Sequence, residues 1–235
     1  MAHLAKIRQS GEGPLQGIPF FHDLAPVEIE TLNRMVIKKH YSRGEVVLFE
    51  EDTANYMYII LAGKVRVVQI GIEGKERILA IHKRGDYFGE LALFDGKTSP
   101  ATVIAMEDSY IGLLSKNDFD FMVFKNDKIL LQFISTLCIR LRESWMMLKI
   151  MSFANAEERV RLVLKYLTRL YGVKDQRGML VALKLTHKDI ANYAAVSRET
   201  VTRLMNRFTN EGEIEILDKR YMLIKPAFMK NPHKL

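Results

Sequence analysis

Leu185 to Gly212 reads LTHKDIANYAAVSRETVTRLMNRFTNEG, the pattern of two short helices joined by a turn. Thr186 offers a hydroxyl N-cap with Asp189 three residues on, and Ile190, Ala191 and Ala194 supply one apolar face. Ala195 and Val196 occupy the turn. Ser197 is a second N-cap, after which Val201, Leu204, Met205 and Phe208 recur at helical spacing until Gly212 ends the run. The second helix is expected to present Arg198, Glu199, Thr202, Arg203 and Arg207 outward, and such forked donors with a carboxylate suit base edges and phosphates. An ordinary charged surface helix is the competing reading, which the neighbouring sequence must decide.

The charge distribution favours DNA. Residues 153–235 hold 16 Lys+Arg against 9 Asp+Glu, whereas residues 1–152 hold 19 of each, so the whole excess of +7 lies in the C-terminal part that contains the helix pair. A neutral front and a basic back fit a sensing domain joined to a polyanion-binding one, because phosphate neutralisation supplies most sequence-independent affinity. At 235 residues, 48% apolar and 27% charged, the chain suits one large or two modest domains. No apolar run reaches the ~18 residues that span a bilayer, and MAHLAKIRQSGEGP lacks the apolar middle of a signal peptide. A cytoplasmic location without a membrane partner is the expectation. One cysteine, Cys138, supplies neither a disulfide pair nor the thiolates of an iron-sulfur cluster or structural zinc site.

Residues 1–18 read as a loose arm. In DLAPVEIETLNRMV, Pro26 marks a helix start and Ile29, Leu32 and Val36 share a face. From Tyr41 to Leu114 the runs EVVLF, YMYIILAG, KVRVVQI, RILAIH, ATVIAM and SYIGLL are separated by glycines and charged turns, the spacing of an antiparallel sandwich or roll. No glycine-rich phosphate loop opens a helix, which argues against a nucleotide hydrolase or a dinucleotide-binding dehydrogenase. No triad, metal cluster or carboxylate pair stands at useful spacing, so neither catalytic nor metal-ligating residues are assigned. Gly89-Glu90-Leu91 opens a compact break followed by Ser99, Pro100 and Ala101. It reads either as a ligand cradle, with Glu90 bonding a hydroxyl and backbone amides an anion, or as a structural turn.

A helix is expected over 126–152. Ile134, Leu141 and Leu148 recur every seven residues, with Leu137, Ser144 and Met151 three beyond each, a seam for a parallel homodimer or for packing on the chain's own sandwich. Cys138 and Trp145 lie one place past that seam, the first read as a small packing residue. A hinge near 153–155 is expected, then a helix from Asn155 to Gly172, the strand MLVAL, the helix pair, and a hairpin EIEIL/YMLIK about Asp218-Lys219-Arg220. The last three make a winged helix-turn-helix.

From Phe20 onward this order of parts resembles the cyclic-AMP receptor and fumarate-nitrate regulator (Crp/Fnr) family of bacterial transcription factors. VSRETVTR at 196–203 is similar to its recognition-helix motif and FGELALFDG at 88–96 to its ligand-cradle motif. The resemblance implies an α+β protein: an arm (1–18), an antiparallel β-roll or jelly roll of the cyclic-nucleotide-binding type (19–125), a dimerisation helix (126–152) carrying Ile134, Leu137, Leu141 and Leu148, and a winged helix-turn-helix (153–235). It implies that Arg198, Glu199 and Arg203 read a TGTGA-like half-site in an inverted palindrome, with Thr186, His187, Ser197, Thr200 and Thr202 completing the DNA-contacting set. A two-fold dimer would set its recognition helices roughly 34 Å apart on a bent duplex, with RNA polymerase as a further partner.

The cradle departs from the family. Ser99-Pro100-Ala101 stands where cyclic-AMP binders have Arg-Ser-Ala, so the cation for the cyclic phosphate is missing, and the hydroxyl pair that meets the adenine is Ser144 and Trp145. Losing a forked cation against a phosphate costs a few kcal/mol, one to three powers of ten in affinity, by the usual magnitudes. Ordinary cyclic-AMP sensing is therefore not expected. Trp145 stacks on another purine-containing messenger, fills an empty pocket so that the dimer acts without effector, or simply packs. His40 and His82 are available to a haem, but nothing marks them as a pair. A ligand-binding module that docks an acidic protein partner is the alternative from a different class.

Overall fold

Short Val- and Ile-rich runs pair into three four-stranded antiparallel sheets in the computed structural model, which describes residues 15, 16, 18–53, 55–124, 126–152, 155–217 and 221–230. The chain divides into two units, one of residues 1–74 and 78–141, the other of 142–235 with 75–77. Most of the expected arm, the hinge residues 153 and 154, and the hairpin tip 218–220 lie outside the described residues.

In the first unit a 3-10 turn at Pro19–Phe21 and helix α1 (Pro26–Met35) precede β1 (Ile37–Tyr41), β2 (Val46–Leu48), β3 (Tyr56–Ala62), β4 (Lys64–Ile70), β5 (Glu76–Lys83) and β6 (Tyr87–Phe88). Helix α2 (Glu90–Asp95), β7 (Thr102–Ala105), β8 (Ser109–Ser115), helix α3 (Lys116–Phe124) and the long helix α4 (Asp127–Met151), whose residues from Arg142 on belong to the second unit, follow. The sheets are ordered β1-β8-β3-β6 and β2-β7-β4-β5. Strand β3 is apolar without interruption because both its faces are covered. Tyr58 and Ile60 join the core between the sheets with Val65, Val103 and Ile111, while Met57, Ile59 and Leu61 face a second core built on Phe20, Phe21, Phe119 and Phe133. Phe133 anchors α4 there, its ring 4.6 Å from Phe20 and 5.1 Å from Tyr87, distances at which edge-on aromatic pairs add to area burial.

The remaining elements belong to the second unit: α5 (Ala156–Tyr171), β9 (Gly172–Asp175), β10 (Gly178–Val181), α6 (His187–Ala194), α7 (Arg198–Asn210), β11 (Ile214–Ile216), β12 (Met222–Ile224) and α8 (Pro226–Lys230). The Asn155 side chain caps α5 by accepting from the Glu157 amide at 2.8 Å. β11, β12, β10 and β9 form one antiparallel sheet in that order, with Leu180 opposite Leu223 and Ile216 opposite Met222. Several elements go beyond the sequence pattern, β6 and α3 among them. β1 is exposed at every residue but Tyr41, so it shows no alternation, and β9 is an exposed edge of four residues. The break at 90–95 is helical, and α8 closes the chain's core through buried Phe228. Among the described residues no helix is long and apolar enough to cross a membrane.

Candidate nucleic-acid interface and effector pocket

Two caps hold the helix pair in register. The Thr186 hydroxyl accepts from the Asp189 amide at 3.1 Å while the Thr186 amide donates to the Asp189 carboxylate at 2.8 Å, a reciprocal capping box at the start of α6. Ser197 Oγ accepts from the Thr200 amide at 3.1 Å and lies 3.0 Å from the Thr200 hydroxyl. Ala195 joins the helices in the left-handed region at φ 53°, a conformation uncommon for a residue with a Cβ, and α6 and α7 then bury Ile190, Ala194, Val201, Leu204, Met205 and Phe208.

The outward face divides into working and committed side chains. Arg198, Glu199 and Arg203 are exposed, and among the described residues their side chains have no hydrogen-bond or ion-pair partner. Thr202 is committed: its hydroxyl donates to the Arg198 carbonyl at 3.0 Å and lies 2.9 Å from His187 Nδ1, tying α7 to α6. Thr186, Ser197 and Thr200 are spent on the caps. Arg207, read from the sequence as an outward side chain, instead pairs with Glu157 of α5 and lies 3.7 Å from Glu211, which holds it in its charged form. Periodicity gave its face but not the neighbouring helix.

The cradle lies wholly in the first unit. Gly89, Glu90, Leu91, Ser99, Pro100 and Ala101 line one cavity of about 90 Å³, closed further by His82, Phe88 and Arg140. Gly89 is required twice over, since it adopts φ +85° and a Cβ there would stand 2.8 Å from the Tyr58 ring and 2.9 Å from the Tyr56 carbonyl oxygen. Glu90 is 1% exposed, and a carboxylate so buried needs a partner. Arg140 provides it from α4. One guanidinium nitrogen donates to Glu90 at 2.5 Å, another to the Tyr87 carbonyl, and the plane stands 4.8 Å from the Tyr87 ring centre. Burial first and then Arg140 push His82 down to about 3, so its imidazole is neutral at physiological pH, stacked on Phe88 with Asp86 at 3.9 Å.

The cavity therefore brings together the six residues expected from the glycine-containing break and adds Arg140 and His82. Glu90 and Arg140 neutralise each other, Ser99 Oγ donates to the Ala101 carbonyl at 2.8 Å, and Pro100 has no amide hydrogen. The volume is well below the ~300 Å³ at the lower end of small-molecule sites. Ser144 and Trp145 do not line it. The signal for Arg140 was its seven-residue spacing from Phe133, which sets both on the face of α4 turned to its own unit. Among the described residues no group of three or more His, Cys, Asp or Glu is placed to hold a metal ion.

The opposite face of α4 is apolar and exposed. Leu131, Ile134, Cys138, Leu141, Trp145 and Leu148 follow one another at alternating spacings of three and four, with Trp145 61% and Leu148 67% exposed. Leu137 is half-buried, so this line passes through Cys138 and Trp145 rather than beside them, and Cys138 is exposed in the single chain instead of packed.

Residues 38–126 match the family model for the cyclic nucleotide-binding domain, and residues 161–231 that for the Crp-like helix-turn-helix domain. The chain is similar to the cyclic AMP receptor protein of Thermus thermophilus, 29% identical over 86% of this chain and 90% of that protein. It is 28% identical to a CRP-like cAMP-activated global transcriptional regulator of Mycobacterium tuberculosis, over 86% of this chain and 91% of that one. In fold it resembles a variant of CooA from Carboxydothermus hydrogenoformans, with a TM-score of 0.73 and 24% identity over 84% of this chain and 88% of that chain.

Proposed function

The chain belongs to the Crp/Fnr family of DNA-binding transcription regulators, and from that premise we propose that it works as a homodimer reading an inverted repeat of TGTGA-like half-sites. The observation that carries this reading is the exposed trio Arg198, Glu199 and Arg203, without side-chain partners among the described residues, on the first turns of a helix whose other face is buried. A forked arginine meets the O6 and N7 acceptors of guanine in the major groove, and a carboxylate accepts from cytosine N4. Thr186, His187, Ser197, Thr200 and Thr202 hold the pair of helices and meet the backbone. Two copies of the apolar line on α4 cover each other in a parallel coiled coil, setting the recognition helices on successive major grooves. RNA polymerase is the protein partner of the bound dimer, and the domains divide as arm, sensor, α4 and reading head.

For the effector, a cyclic nucleotide or related second messenger would enter the cradle at Gly89, Glu90, Leu91, Ser99, Pro100 and Ala101. A second reading, a dimer active without effector, is favoured by the small cavity and by the Arg140–Glu90 pair that already fills its polar end.

Fluorescence-anisotropy titration of an inverted TGTGA repeat, a guanine-substituted repeat and random duplex at one salt concentration tests the reading. Specific binding should exceed random binding by about 10³ or more. Equal and weak binding to all three would overturn it in favour of a module that docks an acidic protein. Diamide oxidation should join two Cys138 thiols into a disulfide-linked dimer if the line on α4 is the seam.

A further inference from the structure

The second unit contains a buried cation that the reading face does not use. Arg161, on α5, is 4% exposed. A guanidinium out of water persists only when its donors are matched. Its Nε donates to Glu157 at 3.0 Å, one terminal nitrogen donates to Glu213 at 2.8 Å, and the other stands 4.0 Å from Glu211. Its plane lies 4.2 Å from the centre of the Phe208 ring and 5.1 Å from that of Phe228. Each neighbour comes from a different place: Glu157 from the first turn of α5, Phe208 from the end of α7, Glu211 from just past that end, Glu213 from the entry to β11, and Phe228 from α8. Arg207 of α7 shares Glu157 and Glu211, so the cluster closes on the recognition helix twice.

We propose that Arg161 is the positioning residue of the reading head, fixing the angle at which α7 and the β11–β12 hairpin are offered to DNA. This rests on the reading of α7 as the recognition helix. From Phe208 to Arg198 the helix extends about 15 Å, so a 10° tilt about the clamp moves Arg198 by roughly 2.6 Å. Recognition geometry tolerates about 0.5 Å and 10–20°. Stability alone does not call for such a residue, because well-packed apolar side chains often replace a buried ion network without loss. Directional bonds to Glu157 and Glu213 supply what apolar packing lacks, a single preferred orientation.

The test uses the full chain with Arg161→Met, which keeps length and apolar contact but removes the fork. Thermal unfolding shows whether the variant is folded, and anisotropy gives its affinity for the TGTGA repeat, for repeats substituted at each half-site position, and for random duplex. The ratio of specific to random affinity should fall about tenfold, with loss spread over all half-site positions, while random binding and its salt slope stay as in the wild type. Arg161→Lys, which keeps the charge without the fork, should recover part of the ratio. If Arg161→Met does not fold, Glu213→Gln removes one arm of the clamp and should lower the ratio in the same distributed way. A wild-type ratio in the folded variant overturns the proposal and leaves the recognition helix standing. A wild-type protein that cannot tell the repeat from random duplex overturns the recognition helix, and this inference with it.

Discussion

Helix α7 and the cradle each hold a carboxylate and arginine chemistry, yet they keep them in opposite conditions. On α7, Arg198, Glu199 and Arg203 are exposed, and their side chains have no partner among the described residues. In the cradle, Glu90 is buried and bonded to Arg140. An exposed charge is solvated until DNA replaces the water and releases counterions, so leaving it unpaired costs little. A buried charge must be matched within the chain, and any ligand that wants it must first break the match. The first region is ready for its partner; the second is already closed on itself.

The largest effect that would break this contrast is on the reading side. Arg203→Ala should remove about 1–3 kcal/mol of discrimination against a substituted guanine, with little change in binding to random duplex. Equal loss on specific and random DNA would mean that Arg203 touches only phosphate, and the trio would then be a general basic patch. Its effect is confined to one base pair, which separates it from the distributed loss expected of Arg161→Met.

On the sensing side, Pro100→Arg should place a cation beside Ser99, which stands where cyclic-AMP binders carry their arginine. Pro100 is exposed at the rim of the cavity, so an arginine there need not disturb the core. Cyclic-AMP affinity measured by calorimetry should rise about tenfold or more, the worth of a forked contact to phosphate. No heat with either protein would mean that the Arg140–Glu90 pair keeps the cradle shut, and would strengthen the effector-independent reading.

The same contrast explains what the sequence made legible. The helix pair is local: its caps lie three residues from their partners and its apolar face repeats within thirteen residues, so pattern reading reaches it. The sandwich strands and Gly89-Glu90 are local too. Arg140, Arg161 and Arg207 are not, because their decisive partners Glu90, Glu213 and Glu157 lie about fifty residues away and belong to no motif. The α4 seam shows a different limit. Ile134–Leu137–Leu141 and Ile134–Cys138–Leu141 both fit spacings of three and four, and only the burial of Phe133 and the half-burial of Leu137 tell which line stays exposed. Strands β1 and β9 escaped because exposed edges do not alternate.

The smallest expected effect concerns His82, and it tests whether the cradle is closed in solution. His82 falls from its ordinary 6.5 to about 3 because burial, and secondarily Arg140, oppose its imidazolium. The unfolded chain therefore takes up a proton near pH 6.5 that the folded chain refuses until near pH 3. Stability from this group is complete above pH 6.5 and is lost as the pH falls through that window. His82→Phe keeps a flat ring against Phe88 and cannot titrate. Comparing thermal unfolding at pH 7 and pH 5, the wild type should lose of the order of 1 kcal/mol more than the variant. Equal losses would show that water and protons reach His82 freely, which requires the Arg140–Glu90 pair to open and the cavity to be wider than the closed form. In that case the cradle would stand as open to a ligand as the recognition helix is to DNA.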